Sequence, residues 1–282
     1  NYNGQKTLLT VVGTSNHDLE DSCRALANTE WSTGIFMLCE KDGHSNANQA
    51  QVELFDHFAK LETLIILVAS EHPVAVKQAM VLSDAAKVRG ILSIVVMSDT
   101  MRQATEHTTK TSLDMAHFQT HMDSVLIVPT KRTTIKKGAE VLDKEAVRNE
   151  IFYQNVLGFL SVMNERVDAE GICLDPADVN AIFKNAGLVH MGVGRASGRN
   201  KAERAVKEVI EDSLPENALD TARRVLVQIT GSEDVKLEEI ESVVMQVVKN
   251  THPEVTMLFG ASFDKDFEDE LYITVFASEF DA

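Results

Sequence analysis

Runs of consecutive apolar residues, separated by stretches with helical periodicity, dominate the first half of the chain. Residues 7–13 (TLLTVVG), 34–39, 64–69 (LIILVA), 91–97 and 125–128 read as strands, with helical patterns over 18–27, 49–60 and 74–88 between them. Strands that are apolar at every position are buried on both faces, and their alternation with helices predicts a parallel sheet covered by helices. Sheets of this doubly wound, Rossmann-like kind bind ligands at the carboxyl ends of their strands.

The pattern then changes. From residue 143 to 167, Val147, Ile151, Phe152, Val156, Phe159, Leu160 and Met163 recur at steps of three to five, which places them on one face of a long helix. Such a rod is suited to connecting two domains. Beyond it, a helix starting at Pro176, strands at 188–192, 224–230, 255–260 and 271–277, and helices at 201–210 and 236–249 predict a second α/β layer with its own sheet. The expected organisation is a Rossmann-like domain over 1–140, a central helix over 141–170 and a C-terminal α/β domain over 171–282.

Composition narrows the function. The chain has 27 basic and 43 acidic residues, a net charge of −16. Charge of that sign repels phosphate backbones and anionic lipid headgroups, so nucleic acid is not an expected partner. The apolar runs fall far short of the roughly 20 residues needed to span a bilayer, and no basic, apolar leader opens the sequence. The three cysteines are odd in number, widely spaced and without a CxxC pair, which fits a reducing cytoplasm better than a disulfide scaffold or a zinc site. No metal site is expected.

Four segments in the second half carry a more specific signal. Residues 171–183 read GICLDPADVNAIF, 190–211 read HMGVGRASGRNKAERAVKEVIE, 224–231 read RVLVQITG ahead of KLEEIESV, and 258–277 read LFGASFDKDFEDELYITVFA. In that order they resemble the N-x-D-x-x-D loop, the MGxGxASGxxRA segment, the VLVNITG strand and the GTSxDP…DExRVTV hairpin of FtsZ, the bacterial homologue of tubulin. In the first half, residues 61–70 (LETLIILVAS), 89–98 (RGILSIVVMS) and 121–132 (HMDSVLIVPTKR) resemble three further segments of the family. The resemblance implies the two-domain tubulin/FtsZ fold, with the long helix as the family's central helix.

It also exposes a departure. The family's phosphate-cradling GGGTGTG falls on residues 71–77, which read EHPVAVK. Glycine lets backbone N–H groups wrap anionic oxygens at a helix start. Here Glu71 adds a like charge and Pro73 removes a donor. The glycine cluster after the first strand is reduced to Gly13, with Asp18 and Glu20 close behind it. Charge-assisted hydrogen bonds are worth about 1.5–3 kcal/mol each, so losing two costs about a hundredfold in affinity. If guanine nucleotide binds with magnesium, the resemblance assigns its contacts to Gly13, Ser70, His72 and Asn149, the last where the family has a base-holding Asp. The expectation is that no nucleotide cofactor is needed.

Asp175 and Asp178 match the two carboxylates that, in the family, reach into the neighbouring subunit's nucleotide site and orient the attacking water, with Cys173 in place of the family's Asn. The same residues also make a good helix start, with Asp at the N-cap, Pro at the first position and an acid at the third. Both roles stand, and they do not exclude each other. His17, His72 and Lys77 read first as solvated surface residues, and Trp31 as an anchor ahead of the second strand. Three functional readings follow from the resemblance. The leading one is a cytoplasmic protein of cell-division or cytoskeletal type that self-assembles head to tail, or co-assembles with a nucleotide-binding FtsZ, with little or no GTP hydrolysis. The others are an atypical polymerising GTPase and a monomeric regulator of such a partner.

Overall fold

The computed structural model describes residues 7–13, 26, 35–39, 61–69, 73–101, 121–131, 144–163, 171–265 and 267–280. The expected helices at 18–27 and 49–60, and Trp31, lie outside them, Leu26 apart. The chain divides into two compact units, one of Asn1–Ile127 with Phe183–Leu188, the other of Val128–Ile182 with Val189–Ala282.

In the first unit, β1 (Thr7–Gly13), β2 (Ile35–Cys39), β3 (Thr63–Val68), β4 (Leu92–Ser98) and β5 (Ser124–Val128) lie in the order β2-β1-β3-β4-β5. The β1–β2, β1–β3 and β3–β4 pairs are parallel, with Leu9 opposite Ile35 and Val11 opposite Leu67. Every residue of β3, β4 and β5 is buried, as uninterrupted apolar runs require. Helix α1 (Pro73–Val88) packs on one face, where Ala75, Val76, Ala79, Leu82 and Ala86 meet Leu8, Val12, Leu64, Ile66 and Val68. Asp123, buried ahead of β5, is satisfied by the Ser93 backbone N–H at 3.0 Å and its hydroxyl at 3.3 Å.

The second unit opens with α2 (Lys144–Met163), whose 20 residues extend about 30 Å. Its expected apolar face is the buried one: Ile151, Phe152, Val156, Phe159 and Leu160 are all at most 8% exposed. Asn155 shares that face because its Nδ2 donates to the Pro129 carbonyl at 2.9 Å. The remaining elements are β6 (Gly171–Ile172), α3 (Pro176–Phe183), β7 (Gly187–Ser197), α4 (Lys201–Glu208), a π turn (Val209–Ser213), α5 (Ala218–Thr221), β8 (Ala222–Gly231), α6 (Leu237–Val248), β9 (Thr256–Phe263) and β10 (Glu270–Phe280). Their sheet runs β7-β10-β8-β9-β6. β10 is antiparallel to β7 and β8, β9 is parallel to β8, and β6 is antiparallel to β9. This mixed sheet carries one more strand than the four the sequence predicts, because a two-residue strand has no periodicity to read.

β7 also runs five residues past its expected end at Gly192. The apolar alternation breaks at Gly192 and Gly194, yet both are in the strand because α4 and the π turn lie against it. A Cβ on residue 194 would collide with the Ala205 carbonyl oxygen. The π turn brings the Ser213 hydroxyl to the Val193 N–H at 2.8 Å, and Glu208 accepts from the Arg195 N–H at 2.8 Å. Strand N–H groups that face no neighbouring strand are thus satisfied by side chains.

Candidate functional site

The segment joining β6 to α3 holds the two predicted carboxylates. Pro176 opens α3 because its fixed φ suits the first helical position and its missing N–H would have no intrahelical partner there. Asp175 precedes it as the N-cap. Its Oδ1 accepts the Ala177 N–H at 2.7 Å, and its carbonyl accepts the N–H groups of Asp178 at 2.9 Å and Val179 at 3.0 Å. Asp178 sits in the first turn, where a negative charge is favoured by the helix dipole. Both carboxylates are exposed, so the capping geometry leaves a second Asp175 oxygen and the whole Asp178 carboxylate facing outward. Cys173 and Ile172, on the approach to the cap, are exposed as well, whereas Leu174 between them and Asp175 is buried.

The predicted nucleotide contacts are distributed differently. Gly13 is buried at the carboxyl end of β1, opposite Cys39. Ser70 and His72, with Glu71 and His17, lie outside the described residues. α1 begins at Pro73, its Ala75 and Val76 side chains are in the core, and Lys77 is exposed. Asn149 is exposed on α2. The structure therefore brings Asp175 and Asp178 to the start of one helix, and of the four nucleotide candidates only Gly13 and Asn149 fall among the described residues. Among the described residues no group of three or more His, Cys, Asp or Glu is placed to hold a metal ion, and no helix is long and apolar enough to cross a membrane.

Two features had no separate signal in the sequence. Leu174 rests over Gly260, with the Gln228 amide also close to the space a side chain on residue 260 would take. At the start of α4, Lys201 is 6% exposed between Asp269 at 2.9 Å and Glu239 at 3.5 Å. Burial alone would lower the Lys201 pKa, but the hydrogen bond that Lys201 donates to Asp269 and the nearby carboxylates outweigh it and raise it. Asp269 also accepts the Gly198 N–H at 3.0 Å, and its pKa is lowered, chiefly by the Lys201 hydrogen bond.

The model of the FtsZ family, C-terminal domain, matches residues 187–281. The cell division protein FtsZ of Neisseria meningitidis is 31% identical over 205 residues, covering 71% of this chain and 52% of that protein. The chain spans about half the length of the curated relatives it matches. Among solved structures, an empty FtsZ dimer of M. jannaschii superposes with a TM-score of 0.75 at 18% identity, over 98% of this chain and 88% of that one. A GTPγS-bound protofilament of CetZ2 from Haloferax volcanii gives 0.65 at 16% identity, over 98% and 94%. The family match over residues 187–281, the FtsZ relatives and the shared FtsZ-type fold together support the chain as a divergent FtsZ-like member of the tubulin superfamily.

Proposed function

We propose that this chain is an FtsZ-like assembling protein of cell-division or cytoskeletal type. Its subunits, or it and a nucleotide-binding FtsZ-type partner, associate head to tail through the Asp175–Asp178 loop, with little or no GTP hydrolysis. The observation that carries the reading is the asymmetry between two helix starts. The head of α3 keeps both carboxylates the resemblance points to, exposed, with Asp175 at the N-cap and Asp178 in the first turn. The head of α1 replaces the family's glycines with EHPVAVK.

A guanine nucleotide with magnesium does not fit the head of α1 in the family's manner. Pro73 supplies no N–H at the first helical position, and the Ala75 and Val76 side chains are committed to the core beneath the sheet. Lys77 is the one cation among the described residues of the helix's first two turns, and it points to solvent. A triphosphate there would lack the ring of N–H donors that glycine-rich loops provide. Assembly then rests on contacts between protein groups. Support for self-association in general comes from structural neighbours described as a dimer and as a protofilament.

The decisive experiment is nucleotide content and phosphate release of the purified chain, run beside sedimentation at increasing protein concentration. Concentration-dependent assembly without bound nucleotide or GTP turnover is expected. Bound guanine nucleotide with turnover that Asp178→Ala abolishes would overturn the reading in favour of an atypical GTPase. A monomer at every concentration that still co-pellets with an FtsZ partner would favour the regulator.

A further inference from the structure

The segment that delivers Asp175 is seated on β9 at two points. At its start, Gly171 has φ of 142°, a conformation L side chains rarely adopt, and a Cβ there would collide with the Ala261 carbonyl oxygen. Three residues later Leu174 turns inward and is 7% exposed. It fills the space above Gly260: a Cβ on residue 260 would lie 2.8 Å from Leu174 Cγ and 3.0 Å from its Cδ1.

Gln228 walls the other side of that space. Its Oε1 lies 2.5 Å from the same point and has no hydrogen-bond partner among the described residues. Its Nε2 donates to the Ser262 hydroxyl at 3.1 Å, which also bonds the Thr230 hydroxyl at 3.2 Å. This chain of polar groups spans β8 and β9 and holds the amide in place. Any side chain on residue 260 is therefore caught between a tethered amide and a leucine whose backbone continues directly into the N-cap. Carbon contacts near 2.8 Å are far inside van der Waals distance, and interiors have little slack to absorb them. The element with most freedom to yield is the loop.

We infer that Gly260 is a positioning residue for the Asp175 and Asp178 carboxylates: its missing side chain seats Leu174 and so sets where α3 begins. Only the consequence for assembly rests on the head-to-tail reading. The seat itself is a property of the single chain.

Amide hydrogen exchange of residues 174–179, followed by mass spectrometry on the unassembled 282-residue chain, tests the seat directly. Gly260→Ala should speed exchange at Ala177, Asp178 and Val179 about tenfold, because their N–H groups are the ones Asp175 holds. Leu174→Ala should also speed it, and the double variant should be no faster than Leu174→Ala alone, since the leucine carries the part of the clash that reaches the loop. Rates that multiply in the double variant, or an unchanged rate in Gly260→Ala, would overturn the inference. If Gly260→Ala does not fold, equal rates in Leu174→Ala and the double variant support it and unequal rates refute it. Sedimentation of the wild type separately tests assembly. Where the wild type assembles, Gly260→Ala should raise the concentration needed at least threefold with helix content unchanged, and Gly260→Ser should do the same.

Discussion

α1 and α3 begin alike, each with proline at its first position, yet they carry opposite information. Asp175 caps α3 through its side chain at 2.7 Å and through its carbonyl. That residue has work to do inside its own chain, so its presence does not by itself require a neighbour. The head of α1 offers no such double role. Pro73, Ala75 and Val76 stand where the resemblance places glycines, and Ala75 and Val76 are buried in the core of the first unit. A retained motif is ambiguous when one residue satisfies two demands, and a replaced motif is not. The comparison teaches that loss at α1 is the firmer guide to function, while retention at α3 needs variants that separate cap from contact.

The largest expected effect concerns α1. GTP should bind at least about a hundredfold more weakly than to a glycine-loop FtsZ measured alongside, the consequence of losing two or more charge-assisted hydrogen bonds. Calorimetric titration with GTP and magnesium checks it, and affinity equal to that of the control would erase the contrast between the two helix starts.

At α3 the two roles of Asp175 can be divided. Asp175→Ala removes the cap and should cost about 1 kcal/mol in urea unfolding. Asp175→Asn keeps a capping oxygen and should cost only a few tenths. If the carboxylate also meets a neighbouring subunit, both variants should weaken sedimentation equally despite their different stabilities. If assembly follows stability instead, Asp175 is a cap and nothing more. Asp178→Asn, which removes a charge from the first turn, should cost about 0.5 kcal/mol through the helix dipole. Its effect on assembly should exceed that small change.

The smallest effect is a pH slope that serves as a reference. Asp269 has its pKa lowered by Lys201, so the native state binds this proton less readily than the unfolded chain. Its stabilising contribution is therefore complete above the ordinary carboxylate range and disappears as pH falls through the lowered value. Urea midpoints measured from pH 6 down to pH 3 should decline less steeply in Asp269→Asn than in the wild type. Equal slopes would mean that the Lys201 contact is not made in solution.

Much of this molecule was legible from residue pattern. β1 has the bounds that TLLTVVG predicts, the other parallel strands differ by a residue or so at their ends, and the buried face of α2 is the one its three-to-five spacing marks. These elements are local or fully buried, so their own side chains report their environment. The capped start of α3 was equally legible, because an N-cap depends on a few neighbouring residues. β6 and the far end of β7 were not legible, since a two-residue strand and a strand interrupted by Gly192 and Gly194 owe their pairing to distant partners.

The sequence by itself therefore determined the alternation of elements, the FtsZ resemblance, the loss of the phosphate-loop glycines and the helix cap, all consequences of side-chain type at short spacing. Only the tertiary structure decided that Leu174 is buried while its neighbours are exposed, that Gly260 makes room for it beside Gln228, and that Lys201 is enclosed by Asp269 and Glu239. These are contacts between residues tens of positions apart. Their energies depend on the space left by packed backbones, which no local pattern encodes.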